Sequence, residues 1–345
     1  MKIHIVGALP GPLGGTTILL KQLVDDIKND SSVSLIISDT SLVRNLSLFG
    51  KVKFLFSTLR NTLSSDITSV HVSAKGSITI TPILLFLCLA SKKRFNFRMF
   101  GGVYDKFFTN SSKTVKGVVS FIINKSDLIY FETNHLVEYF REKFPHANIK
   151  HYTNSRPSTL LRSDVIKENK FVFLGAIKRS KGVNTILEAA KYLPSVEIDF
   201  YGPIIEHDLE DAIKRQSNCS YKGVCQPELI LDVLKNYKCL LLPTEHFGEG
   251  YPGVIIEAYS LGIPVITTEW QCIPEIVEVG RTGFLVKPSN PEELAKKVQD
   301  VIDMDSDNYK QIKNNCLDFF SSKFDSELLS REFISNLRML EVRND

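Results

Sequence analysis

Residues 241–286, LLPTEHFGEGYPGVIIEAYSLGIPVITTEWQCIPEIVEVGRTGFLV, decide how the rest of the chain is read. Two apolar strand-like runs, 239–242 and 264–267, flank Glu249-Gly250-Tyr251-Pro252-Gly253 and a short helical stretch. The pattern is a strand, a glycine-rich loop, a helix and a strand. Pro252 and Gly253 stand where a helix begins, and Gly262-Ile263-Pro264 is its stop signal. Unpaired amides at such a helix start attract phosphate or hydroxyl oxygens. Glu249 falls in the loop, and Glu257, eight residues on, falls about two turns into the helix. Ionised carboxylates so placed suit a polyhydroxylated ligand, because each accepts several hydroxyls and orients a ring. Taken alone, the pair reads better as one loop carboxylate and one solvated helix residue.

The surroundings narrow that choice. Glu249, Glu257, Ala258, Gly262 and Pro264, followed by Pro274-Glu275-Ile276-Val277 and Gly280-Arg281-Thr282-Gly283, resemble the donor-binding segment of glycosyltransferase family 4. The resemblance implies an α/β protein of GT-B architecture, with two Rossmann-like doubly wound parallel-sheet domains facing across a cleft. It also implies retaining glycosyl transfer from a nucleoside diphosphate sugar of UDP or GDP type to a hydroxyl acceptor. In that reading Glu257 holds the ribose diol, while Glu249 and the amides of Gly253 and Val254 orient the sugar, with Tyr251 beside them.

Composition fits two α/β domains. The chain has 345 residues, 43% of them hydrophobic, enough for two cores of ordinary size. Six cysteines form no C-x-x-C pair, so neither a zinc site nor a disulfide framework is indicated, and a reducing cytoplasm fits. The first residues, MKIHIVGALPG, have too short an apolar core for a signal peptide. The longest apolar run, 82–90, is half of what a membrane span needs. Charge is uneven: residues 1–165 carry 21 Lys and Arg against 11 Asp and Glu (+10), and the remainder 21 against 28 (−7). A basic first half suits an anionic membrane face, a phosphorylated acceptor, nucleic acid or two mutually attracting domains.

The first half begins with a strand at 2–6 and a loop, residues 7–15, ahead of a helix. A dinucleotide enzyme would want G-x-G-x-x-G here and an acid after the second strand, and Asp39 stands at that place. An NAD(P) oxidoreductase is therefore the rival reading, although two loop prolines remove amides a pyrophosphate would use. The resemblance instead assigns Gly14 and Gly15 to the donor phosphate or the acceptor. His71 ends a third strand, at the sheet edge where ligands bind in open α/β folds. Residues 78–90 read as a buried helix, followed by the cations Lys92, Lys93 and Arg94. These cations motivate a peripheral contact with anionic headgroups. Many relatives start the next loop with His-Gly; here it is Phe100-Gly101-Gly102, which leaves His71 and Arg98 as the two candidates for the missing histidine's acceptor-side role. Tyr139 and Lys143 form a Y-x-x-x-K spacing that Tyr309 and Lys313 repeat, which marks it as chance.

The second domain opens with a strand at 171–174, then Gly175-Ala176-Ile177-Lys178-Arg179-Ser180-Lys181-Gly182. Family members carry Gly-Arg and Lys-Gly here, the two cations meeting the donor diphosphate. Lys181 matches, but the arginine position is Ala176. Arg179, with its bidentate fork, or Lys178 is expected to supply the second charge. Gly202, Gly223 and Val224 fall at loop positions that line the base pocket in the family. No metal or other cofactor is implied, since two cations meet the diphosphate. The reading places domains at 1–160 and 161–320, with a C-terminal helix at 321–345 returning to the first. The expected partners are a nucleotide-sugar donor and a saccharide or lipid-linked acceptor of bacterial surface polysaccharide synthesis, with no nucleic acid. A non-catalytic sugar-nucleotide-binding module of the same fold remains the other alternative.

Overall fold

Short β-branched and aromatic runs alternate with amphipathic helices along the whole chain, a pattern that closes into parallel sheets covered by helices. The computed structural model describes residues 1–10, 15–159 and 169–342. It divides into two units, Met1–Pro157 with Ser326–Asp345, and Ser158–Asp325.

In the first unit, β1 (Lys2–Gly7), β2 (Ser34–Asp39), β3 (Ile67–Val72), β4 (Arg94–Met99), β5 (Leu128–Phe131) and β6 (Ile149–His151) form one parallel sheet. Their order is β2-β1-β3-β4-β5-β6. The helix Ser326–Val342 belongs to this unit. Its Phe333 packs on Tyr130, Tyr152 and His71, with ring centroids 5.8–5.9 Å apart, and the Tyr152 hydroxyl donates to the Leu329 carbonyl at 3.2 Å.

The second unit holds β7 (Lys170–Leu174), β8 (Glu197–Tyr201), β9 (Cys219–Tyr221), β10 (Cys239–Leu242), β11 (Val265–Thr268) and β12 (Gly283–Val286). Their order, β12-β11-β10-β7-β8-β9, is that of a doubly wound nucleotide-binding sheet. Its direction of winding reverses between β7 and β10, and ligands of such sheets bind beyond the C-terminal ends of the strands at that reversal.

Three expectations change in the first unit. The stretch read as a buried helix is the helix Ile80–Ala90, which buries Leu84, Leu85 and Cys88 but turns Ile83, Phe86 and Leu89 outward. Arg94 is not part of a free cationic cluster, because its guanidinium donates to Asp127 Oδ1 at 2.7 Å. Asp39, the acid the dinucleotide reading needs, accepts from the backbone amides of Leu9 at 3.0 Å and Ser41 at 2.9 Å, so it ties down its own loop. Gly14 lies outside the described residues.

Candidate active site

The site in the second unit is assembled from the loops that leave β7 and β10. After β7 the chain makes a turn of 3-10 helix, Arg179–Lys181, and passes through Gly182 with φ +82° into the helix Val183–Ala190. Glycine is required there twice over: the backbone is left-handed, and a Cβ would overlap the Pro243 carbonyl oxygen. That contact presses the β7 loop against the β10 loop.

Lys181 and Glu249 meet across this junction. The ammonium of Lys181 lies 2.5 Å from Glu249 Oε2 and 2.8 Å from Oε1, and the two side chains are 18% and 8% exposed. Thr244 Oγ1 donates to Glu249 Oε2 at 3.0 Å, while the Glu245 amide bonds the Ser180 carbonyl at 2.9 Å. A largely dry carboxylate is thus held by an ammonium and a hydroxyl, which offsets its desolvation. The ammonium has three protons, two of which serve Glu249, so one is left to offer an incoming anion.

Lys178 points to the same loop, with its Nζ 3.4 Å from His246 Nδ1. Partial burial, then Lys178 and Lys181, lower the pKa of His246 below the usual histidine value, so its ring is neutral at pH 7 and accepts from the lysine. The His246 carbonyl takes the Trp270 indole N–H at 3.0 Å, and Gln271 Nε2 donates to the Phe247 carbonyl at 2.8 Å. The loop after β11 therefore braces the loop after β10.

Arg179 behaves differently. Its guanidinium is half exposed and forks onto Glu206 and Asp208, which raise its pKa, Asp208 first. The positive fork that sequence reading favoured for phosphate already has two carboxylates.

The helix Gly253–Ser260 starts directly after this loop, with Pro252 at its cap position and no side chain capping its amides. Tyr251 is buried, its hydroxyl donating to Glu275, so it supports the loop from beneath. Glu257 is half-buried. It lies beside the loop after β9, where the Cys225 thiol is pushed up by burial and then by the Glu257 carboxylate. That loop is laced to its neighbours: the Gly202 amide donates to the Gly223 carbonyl at 2.9 Å and the Gly175 amide to the Tyr201 carbonyl at 2.9 Å. Gly202, at φ +139°, sits so close to Gly175 that a Cβ would overlap the latter's carbonyl oxygen. Val224 is exposed on the same loop. Gly175, Lys178, Lys181, Gly202, Gly223, Val224, Glu249, Gly253, Val254 and Glu257 thus share the C-terminal edge of one sheet.

Residues 162–317 match the protein family described as Glycosyl transferases group 1. The second unit is a group 1 glycosyltransferase domain. The chain is similar to an uncharacterized 41.2 kDa protein in the cps region of Klebsiella pneumoniae, 30% identical over 47% of this chain and 44% of that one. It is also similar to the capsular polysaccharide biosynthesis glycosyltransferase CapM of Staphylococcus aureus, 25% identical over 47% of this chain and 44% of that one. The chain spans less than half the length of the curated relatives it matches. In three dimensions the whole chain resembles Anabaena HepE, solved in complex with UDP, at a TM-score of 0.75 and 16% identity over 98% of this chain and 100% of that one. Both units together thus have the GT-B fold of two Rossmann-like domains, and the glycosyltransferase domain is the second of them.

The acceptor-side residues expected in the first unit occupy its interior. His71 is buried, with Nε2 2.8 Å from Ser69 Oγ, which in turn donates to Asn96 Oδ1 at 2.5 Å. Burial and then Arg98 hold its pKa well below the usual histidine range, so it is neutral. Arg98 is buried between the rings of Phe100 and Tyr152, 4.7 and 4.2 Å from their centroids. Gly101 and Gly102 follow β4, and the Gly101 amide donates to Glu132 Oε2 at 3.0 Å, while Asn154 Nδ2 donates to Oε1 at 2.9 Å. Gly15 opens the helix Gly15–Lys28, and nothing would meet a Cβ there within 4 Å.

Sequence reading passed over Thr244, His246 and Glu132. Each had one signal: Thr244 and His246 sit within four residues of the end of β10, and Glu132 is an acid directly after β5, the strand end at which open sheets place functional groups.

Proposed function

We propose that the chain is a retaining glycosyltransferase that moves a sugar from a nucleoside diphosphate sugar to a hydroxyl acceptor, a lipid-linked or saccharide precursor of a bacterial surface polysaccharide. The observation that carries this reading is the Lys181–Glu249 pair fixed at the sheet reversal beside an uncapped helix start, in a group 1 glycosyltransferase domain. The capsule-related names among the relatives and the UDP held by HepE agree with it.

In this reading the diphosphate lies at the junction of the β7 and β10 loops. Lys181 offers it the proton not used by Glu249, and Lys178 adds a second positive charge, with Arg179 behind it. As the bond from the anomeric carbon to the diphosphate oxygen breaks, negative charge grows on that oxygen, and preplaced ammonium groups stabilise it without reorganisation. Glu249, already oriented by Lys181 and Thr244, and the amides of Gly253 and Val254 accept and donate to sugar hydroxyls. Glu257 takes the ribose diol, and the laced loops at Gly175, Gly202 and Gly223 let the base and phosphates approach the main chain closely.

A thermal-shift panel of UDP-, GDP- and ADP-sugars tests the reading. A ligand present at 100 times its dissociation constant stabilises by about 2.7 kcal/mol. One nucleoside diphosphate series should raise the melting temperature, Glu257→Ala should remove most of that rise, and the anomer seen by NMR in the product should match the donor. A response to NAD(P) in place of every nucleoside diphosphate would return the chain to the oxidoreductase reading.

A further inference from the structure

The helix Leu48–Leu63, LFGKVKFLFSTLRNTL, is turned the wrong way for a helix that serves only a core. Its buried residues are Thr58 and Thr62, and Thr62 Oγ1 lies 3.2 Å from Nδ1 of the buried His4. Phe49 and Phe56 are 80% and 68% exposed, and Leu48, Val52 and Leu63 are exposed with them. Apolar residues at 48, 49, 52, 55 and 56 recur at helical spacing, so the exposed side is a continuous stripe. The helix Ile80–Ala90 packs beside it and adds Ile83, Phe86 and Leu89, with Phe86 68% exposed.

The two stripes adjoin at a hollow of about 420 Å³. Val43, Phe54, Leu55, Val72, Ile80 and Ile83 line it, with Lys51 among the lining as well. Charge frames the apolar surface in one sign. From residue 40 to residue 93 the chain has seven cations, Arg44, Lys51, Lys53, Arg60, Lys75, Lys92 and Lys93, and a single acid, Asp66, which accepts from the Lys2 amide at 2.7 Å. Exposed aromatic and aliphatic side chains interspersed with lysine and arginine, with almost no acid, complement an anionic lipid surface. No helix among the described residues is long and apolar enough to cross a membrane, so attachment through this face is in the plane of the interface.

We propose that the face made by the helices Leu48–Leu63 and Ile80–Ala90 docks on an anionic phospholipid bilayer, with the hollow between them receiving one lipid hydrocarbon chain. Phe49, Phe56 and Phe86 enter the headgroup boundary, while Lys51, Lys53 and Arg60 meet lipid phosphates. Two signals are needed because either alone binds reversibly and weakly. Docking does not depend on the donor reading, and the test keeps the two apart.

Co-sedimentation with vesicles of phosphatidylcholine alone and of phosphatidylcholine mixed with phosphatidylglycerol is the measurement. The wild type should pellet with the anionic vesicles at low salt and progressively less as salt rises. Phe49→Glu with Phe56→Glu should weaken partitioning by roughly tenfold or more, and Lys51→Ser, Lys53→Ser and Arg60→Ser together by a similar factor, if each signal is required. All five side chains lie outside the donor site, so both variants should keep the wild-type melting temperature and its shift with the nucleoside diphosphate. Equal binding to neutral and anionic vesicles, or variants that pellet like the wild type, overturns the proposal. So does light scattering that finds a dimer which Phe49→Glu with Phe56→Glu dissociates while vesicle binding is absent, since the face then joins two copies of the chain.

Discussion

The two sheets share a parallel doubly wound plan and differ in what they enclose. The central strands of the second unit, β7 and β10, read KFVFL and CLLL, and their inner residues are fully buried and apolar. Its functional polar groups are displaced into the loops beyond the strand ends, where Lys181, Glu249 and Thr244 pair. The strands β1, β3 and β4 of the first unit bury His4, Thr68, Ser69, His71, Asn96 and Arg98. These groups form short chains: His4 Nε2 to Ser38 Oγ at 2.8 Å, and His71 through Ser69 to Asn96, whose amide donates to the Leu128 carbonyl at 3.1 Å. The same unit carries its phenylalanines at 49, 56 and 86 on the outside. Burying titratable groups such as His4 and His71 ties the stability of the first sheet to their protonation, because a buried group that gains charge without a partner is costly.

The largest expected effect tests that contrast through pH. Burial pushes the pKa of His4 down to about 4 from an ordinary 6.5. Between these values the unfolded chain binds a proton that the folded chain refuses, so the stability contributed by neutral His4 is present above pH 6.5. It is lost as pH falls towards 4, by about 3 kcal/mol in all. Urea midpoints measured across this window should fall steeply for the wild type. His4→Gln, which can still bond Thr62 and Ser38 but carries no titrating proton, should show a shallower fall. Parallel curves for the two proteins would mean that the polar core does not set acid stability.

Next comes the rim of the apolar sheet. Lys181→Ala should lower kcat by about 100-fold or more, equivalent to about 2.7 kcal/mol of transition-state stabilisation, with a smaller loss of donor affinity. Steady-state kinetics beside donor titration separates the two quantities. Equal losses in kcat and affinity would make Lys181 a binding group only, and a wild type without transfer on any donor and acceptor would favour a non-catalytic module.

The smallest effect is expected at Arg179. Because Glu206 and Asp208 hold its guanidinium on the surface, Arg179→Ala should change kcat by only a few-fold, while Lys178→Ala should change it more. The reverse ranking would show that Arg179 leaves its carboxylates when donor binds, and would move the second phosphate cation to the residue whose fork made it attractive in sequence.

Legibility followed the same division between the units. In the second, the site was readable because its residues are close in the chain and each strand end is marked by an apolar run: Glu249, Gly253 and Glu257 follow β10 within fifteen residues, and Lys178 and Lys181 follow β7 within seven. In the first, position along a strand misled. His71 stands near the end of β3, yet Phe100 and Phe333 cover it, and Phe333 arrives from 262 residues away in the chain.

What the sequence by itself determined is the alternation of strands and helices, the loop carboxylates at a helix start and the resemblance that joined them, because these depend on neighbours within a few residues. Only the tertiary structure decided that Arg94 belongs to Asp127, that Arg179 belongs to Glu206 and Asp208, and that the helix Leu48–Leu63 buries Thr58 and Thr62 while Phe49 and Phe56 face outward. An amphipathic pattern shows that a helix has two faces. Which face is covered depends on what the sheet presents beneath it, and here His4 on β1, 58 residues earlier in the chain, forms a hydrogen bond with Thr62.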